Sequence, residues 1–185
     1  LAGFAVGVVE KKDLLLKTKI KRNDVVLAIP SAGLHSNGFA LVREVLKKNK
    51  KKIPSYIKKE LIKPTKIYVR EVNLLNKKRL INGCSNITGG GLINNLLRVV
   101  PKGLCLNVDL SKIKTTPVFK WLKQNKIKDS EMLKTFNCGV GFCLICNKKN
   151  LKNIMKVFKK DYKPYEIGFI SKNKSNSKVS GNIIW

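Results

Sequence analysis

The sequence predicts an α+β, or mixed-sheet α/β, sandwich in which helices lie against one sheet. Three observations predict it. Apolar strand-like runs and amphipathic helical runs mix along the chain without strict βαβ regularity. The 185 residues, 43% of them hydrophobic, are enough for one full core and short for two. Three short turns rich in Gly, Ser and Asn recur, two of them set between a strand-like run and a helix.

The first of these turns organises the rest. Asp24-Val25-Val26-Leu27-Ala28-Ile29 is a strand leading into Ser31-Ala32-Gly33-Leu34-His35-Ser36-Asn37-Gly38, which carries the only histidine. Phe39, Val42, Val45 and Leu46 then share one helical face. Such a turn aims backbone N–H groups and short polar side chains at one point, where a helix dipole adds partial positive charge. A phosphorylated small molecule suits it.

The other elements follow in order. Residues 4–9 read as a buried strand and residues 11–23 as a polar connection. A helix is expected over 55–62. Pro64 fits the first turn of another helix, with Tyr68, Val72 and Leu75 on its inner face. Residues 80–87 form a strand running into Thr88-Gly89-Gly90-Gly91, and a helix follows with Leu92, Leu96 and Val100, or Ile93 and Leu97, inward. Three consecutive glycines cost backbone entropy, so either a tight turn packs beneath the helix or the backbone cradles an anion. Residues 104–108 are a strand. Thr116 caps a helix with Pro117 at its first position, buried through Val118, Trp121 and Leu122. Asp129 or Ser130 caps a short helix reaching Phe136. The third turn, Asn137-Cys138-Gly139, enters the strand Val140–Cys146. Leu151, Ile154, Met155 and Phe158 give the clearest helical spacing. Strands at 165–170 and 179–184, joined by a Ser/Asn/Lys turn, close the fold.

Composition narrows the function. The formal charge of +28 suggests nucleic acid first. Yet 34 of the 39 basic residues are lysines scattered over nearly every element, and arginine stands only at 22, 43, 70, 79 and 98. Arg-rich, aromatic-interleaved surfaces read nucleic acid, so a Lys-, Asn- and Ile-rich compositional bias explains the charge better. The run Lys47-Lys48-Asn49-Lys50-Lys51-Lys52 is a solvated helix end and loop. No run of 18 apolar residues occurs, so no membrane helix is expected. The N-terminus lacks a starting Met and the basic region of a signal peptide; it reads as the inside of a strand, so the chain is expected to begin within a longer protein. Five cysteines without secretory context predict reduced thiols. Cys143 and Cys146 lie in one strand and point to opposite faces, which speaks against a metal site. Walker A, G-x-G-x-x-G after a strand and G-x-S-x-G patterns are absent, and with one histidine a hydrolytic triad is hard to build. His35 is a candidate for proton transfer or for a phosphate hydrogen bond, and equally for a structural one.

Four segments fall together in one family. Ser31-Ala-Gly-Leu-His-Ser-Asn-Gly-Phe-Ala-Leu-Val-Arg43, Pro64-Thr-Lys-Ile-Tyr-Val69, Ile87-Thr-Gly-Gly-Gly-Leu92 and Phe136-Asn-Cys-Gly-Val-Gly141 occur in this order and at about this spacing in phosphoribosylformylglycinamidine cyclo-ligases, the aminoimidazole ribonucleotide synthetases. Over essentially its whole length the chain resembles the C-terminal half of that family, with residues 1–16 similar to the last strand and linker of the N-terminal ATP-binding domain and 17–185 to the C-terminal domain. The resemblance implies ATP-dependent closure of the imidazole ring of formylglycinamidine ribonucleotide, through a phosphorylated imidate that a substrate nitrogen displaces. It implies Mg²⁺ with the ATP, a cytoplasmic homodimer, and a fragment inactive without its other half. It assigns Ser31, Gly33, Ser36, Asn37, Gly38, Thr88, Gly89, Gly90, Gly91, Asn137 and Gly139 to substrate binding in the cleft, with His35 for proton transfer. The family often carries His where this chain has Asn86. Formylglycinamidine ribonucleotide synthetase, thiamine-monophosphate kinase and selenophosphate synthetase share the two-domain plan. A basic RNA-associated module is the alternative of another class, which a salt-titrated RNA-binding assay separates.

Overall fold

The structure, a computed structural model, describes residues 3–48 and 53–185. Six strands form one mixed sheet in the order β2-β4-β1-β5-β3-β6. They are β1 (Val25–Pro30), β2 (Gly83–Asn86), β3 (Cys105–Asp109), β4 (Val140–Cys146), β5 (Tyr165–Ser171) and β6 (Ser177–Ser180). Every pairing is antiparallel except β3 with β6.

Alternation along the strands divides the apolar residues between two faces. Val26 and Ala28 of β1 join a large core with Val140, Cys143 and Ile145 of β4. Val25, Leu27 and Ile29 join a smaller core with Leu144 and Cys146. Cys143 and Cys146 therefore do lie on opposite faces. Burial pushes both thiols up, Cys146 to about 12, so they stay protonated.

Helices cover both faces. α1 (Phe39–Lys48), α2 (Ser55–Leu61), α4 (Gly91–Leu97), α5 (Pro117–Gln124) and α6 (Asp129–Thr135) bury Val42, Ile57, Leu96, Phe119 and Met132 in the large core. α3 (Val69–Lys77) and α7 (Leu151–Met155) bury Leu75 and Ile154 in the small one. This is the expected sandwich.

Several local expectations shift. Residues 4–9 are not a buried strand: Phe4, Val6 and Val8 are exposed, and no strand of the sheet pairs with them. An extended apolar run becomes a strand only where a neighbour completes its ladder. Pro64 lies in coil, and α3 starts five residues later at Val69. Thr116 does not cap α5 with its hydroxyl; the Glu60 carboxylate of α2 accepts the Val118 N–H at 3.0 Å instead. α6 begins after Lys128 without a side-chain cap, and the Asp129 carboxylate is held instead by Lys123 Nζ and the Trp185 indole N–H. The best helical spacing in the sequence yields only five residues, since α7 stops at Met155 and Phe158 reaches the core from beyond it. The last strand is 177–180 rather than 179–184, and it pairs with β3. Of the lysine-rich run, Lys47 and Lys48 are exposed at the end of α1, and residues 49–52 lie outside the described residues. No described helix is long and apolar enough to cross a membrane.

Candidate functional site

The three polar turns meet at one end of the β1–β4–β2 side of the sheet. The first follows β1, the second joins β2 to α4, and the third precedes β4. β4 lies between β1 and β2, so its leading turn sits between the other two.

Asn137 ties the third turn to the first. Its Nδ2 donates to Gly33 O at 2.9 Å and Leu34 O at 3.1 Å. Its Oδ1 accepts the Gly139 N–H at 2.8 Å and lies 3.1 Å from the Ser31 hydroxyl, which also reaches Gly33 O. The Ser31 N–H donates to Gly139 O at 2.8 Å. Ser31 and Asn137 are both buried. Their hydrogen-bonding capacity is spent inside, so these two hold the turns and do not face a ligand. Gly139 backs onto Lys114 O, where a Cβ would sit 2.4 Å away at φ +101°. Gly33 lies against Glu60 O, and Gly38 against the Phe136 ring.

His35 stands in this frame at φ 59°, and Cys138 at φ 51°. Left-handed backbone outside glycine costs of order 1 kcal/mol and persists only where surroundings enforce it. The Ala32 N–H donates to His35 Nε2 at 3.1 Å. The lone pair is thus engaged and the proton sits on Nδ1. Burial lowers the His35 pKa below its ordinary 6.5, which keeps the ring neutral at pH 7. A neutral ring so arranged offers a donor, not a free base.

Gly141 makes room for that ring. A Cβ there would lie 2.6 Å from His35 Cε1 and 2.0 Å from the Tyr68 hydroxyl oxygen. The Tyr68 O–H donates to Pro30 O at 2.8 Å, and its ring tilts towards His35 at 6.2 Å. Burial raises the Tyr68 pKa, so the phenol stays protonated. Sequence reasoning missed Gly141 as a site residue, although the fourth segment ends on it.

The glycine turn approaches from the other side. Asn37 Oδ1 lies 3.3 Å from where a Gly89 Cβ would be, and nothing else comes within 4 Å. Gly90 adopts φ 97° at the N-cap of α4. Gly91 is a packing glycine: a Cβ would meet Leu133 O of α6 at 1.7 Å. The triplet thus makes a tight turn under the helix at Gly91 and has an open backbone at Gly89 and Gly90. Asn95, also missed, is buried beneath the turn and bonds to Thr88, Gly89 and Gly91. Its signal was an amide on the apolar face of α4, between Leu92 and Leu96.

Beside the first turn, Ser36 Oγ lies 3.1 Å from Thr65 Oγ1. From there a cavity of about 290 Å³ opens, walled chiefly by Ile67, Tyr68, Val69, Val72 and Phe142, with Asn86 among its polar groups. Among the described residues no three His, Cys, Asp or Glu side chains come together to hold a metal ion. These residues form no metal-binding cluster of their own, and the resemblance places the Mg²⁺ with the ATP.

Comparison with known proteins identifies relatives over nearly the whole chain. The family described as AIR synthase related protein, C-terminal domain, matches residues 21–179. A phosphoribosylformylglycinamidine cyclo-ligase of Pseudothermotoga lettingae is 46% identical over 165 residues, 84% of this chain and 48% of that protein. That of Prochlorococcus marinus is 40% identical over 195 aligned positions, 98% of this chain and 55% of that protein. The chain thus spans about half the length of these relatives. Among solved structures, thiamine-monophosphate kinase of Stenotrophomonas maltophilia superposes with TM-score 0.64 at 13% identity, over 95% of this chain and 56% of that one. T. maritima PurL complexed with FGAR gives 0.61 at 15% identity, over 95% and 28%. At such identities these two structures speak for the fold alone. With the family match extending over residues 21–179, the chain belongs to the AIR synthase related proteins and carries their C-terminal domain.

Proposed function

We propose that this chain is the C-terminal half of an ATP-dependent cyclo-ligase that closes the imidazole ring of formylglycinamidine ribonucleotide to give aminoimidazole ribonucleotide. The observation that carries the reading is 40–46% identity to proteins of that name across nearly the whole chain. The convergence of the three turns supports it. In this reading residues 1–16 belong with the other, ATP-binding half, and the complete enzyme is a cytoplasmic homodimer with Mg²⁺ bound alongside ATP. Structures of ThiL and PurL neighbours complexed with AMPPCP or ADP support nucleotide binding in this fold.

The chain's own residues divide the work. Asn37, Ser36 and the backbone at Gly89 and Gly90 face the cleft and bind the anionic part of the substrate. Ser31, Gly33, Gly38, Gly91, Asn137 and Gly139 keep the turns in place. His35 offers its Nδ1 proton near the reacting amidine. The cavity beside it presents a largely apolar wall to the rest of the substrate.

The test is a chimera joining this chain to the N-terminal half of the Pseudothermotoga lettingae cyclo-ligase. The expected result is aminoimidazole ribonucleotide formed one-for-one with ADP. A folded chimera that leaves formylglycinamidine ribonucleotide unchanged overturns the reading.

A further inference from the structure

We propose that Asn95 is a positioning residue for the glycine turn: its side-chain amide draws the turn's carbonyl groups inward and thereby turns the N–H groups of Gly89 and Gly90 out towards Asn37, where the anionic group of the substrate is received. The proposal rests on the ring-closing reading above.

The geometry begins with where Asn95 sits. It occupies the buried face of α4 between Leu92 and Leu96 and is 3% exposed. A buried amide is unfavourable unless its donors and acceptor are paired, and asparagine is a poor interior helix residue. A helical side chain leans towards the N-terminus, so this amide lands on the turn that precedes its own helix. Its Nδ2 donates to Gly91 O at 2.7 Å and approaches Gly89 O and Thr88 O at 3.3 Å each. Its Oδ1 accepts the Thr88 hydroxyl at 3.2 Å, and its backbone carbonyl accepts the Ser85 hydroxyl at 3.0 Å. One side chain thus gathers three carbonyls and a hydroxyl of a four-residue turn.

Peptide geometry supplies the consequence. No peptide bond among the described residues is cis, and in a trans unit the carbonyl and the N–H point in opposite directions. Holding Thr88 O inward sends the Gly89 N–H outward. Holding Gly89 O inward does the same for the Gly90 N–H. Neither N–H has a hydrogen-bond partner among the described residues, whereas the Gly91 N–H closes the turn on Thr88 O at 3.2 Å. Two adjacent outward N–H groups form an anion-binding concavity. The Cβ position of Gly89 lies 3.3 Å from Asn37 Oδ1, so this turn borders the first one.

The experiment reads order and kinetics separately. In the ¹⁵N-labelled full chain without ligand, Asn95→Ala should lower the backbone order of Gly89 and Gly90 while Leu133 and Ile87 stay rigid. Asn95→Asp keeps the shape and removes the donor, and serves if the alanine variant does not fold. In the chimera both variants should raise KM for formylglycinamidine ribonucleotide at least tenfold with kcat within twofold of wild type. A residue that only stabilised the fold would lower the active fraction, hence apparent kcat, and leave KM alone. Wild-type order at Gly89 and Gly90 in the variants, or an unchanged KM, overturns the proposal. A wild-type chimera that closes no ring overturns the ring-closing reading, and the order measurement still decides the role of Asn95.

Discussion

The turn at Ser31–Gly38 is sunk beneath the surface at Ser31, Leu34 and His35 and exposed at Ser36, whereas the turn at Thr88–Gly91 stands open at Gly89 and is buried only at Gly91. Each is held by a buried asparagine amide. Asn137 reaches the first turn from 103 or more residues away in sequence, and Asn95 reaches the second from within its own helix. The difference separates two jobs that look identical in the sequence. Ser31 of the sunken turn and Asn137 satisfy one another, whereas the open turn has the Gly89 and Gly90 N–H groups without a partner among the described residues.

The largest effect is expected where the sunken turn loses its clamp. Asn137→Ala strands Leu34 O and the Gly139 N–H at once and leaves Gly33 O only the Ser31 hydroxyl. At 1–3 kcal/mol per buried unsatisfied group, partly relieved by water, it should cost about 4 kcal/mol in urea unfolding. Gly91→Ala comes next. Its Cβ would overlap Leu133 O at 1.7 Å with φ at +74°, and strain plus overpacking predict a loss of about 3 kcal/mol. Gly89→Ala, two residues earlier, should stay within about 0.5 kcal/mol of wild type, because only Asn37 Oδ1 lies near. Both Gly89→Ala and Asn37→Ala should weaken substrate binding. Equal stability losses at positions 89 and 91 would break the comparison.

A smaller effect follows from His35. Its folded pKa is lowered by burial, so below about 6.5 the unfolded chain binds the proton more readily than the folded one. Stability from this source is complete above pH 6.5 and declines as pH falls through the unfolded value. His35→Gln should flatten that part of the pH–stability curve, and the assignment is clean because the chain has no other histidine.

Much of this was legible from residues alone. Period-two alternation located β1 and β4 and set Cys143 and Cys146 on opposite faces. Glycine and small polar clusters marked all three turns. What stayed hidden depended on neighbours. Residues 4–9 have strand character, but strand formation needs a partner ladder. Glu60 replaces Thr116 as the cap of α5 because the end of α2 meets the start of α5, which no local pattern encodes. Within the site, the motif named Asn137 and Ser31 but could not say that their bonds point inward. Asn95 and Gly141 act through contacts with the Thr88 turn and with the His35 and Tyr68 rings, visible only once the chain has folded.

The most direct test of this division of labour is a titration of the ¹⁵N-labelled chain with formylglycinamidine ribonucleotide. The account predicts that the backbone amides of Gly89 and Gly90 and the side-chain amide of Asn37 shift together, while the side-chain amides of Asn95 and Asn137 hold their positions. Shifts centred instead on the separate groove formed by Leu41, Val45 and Ile127 would contradict it.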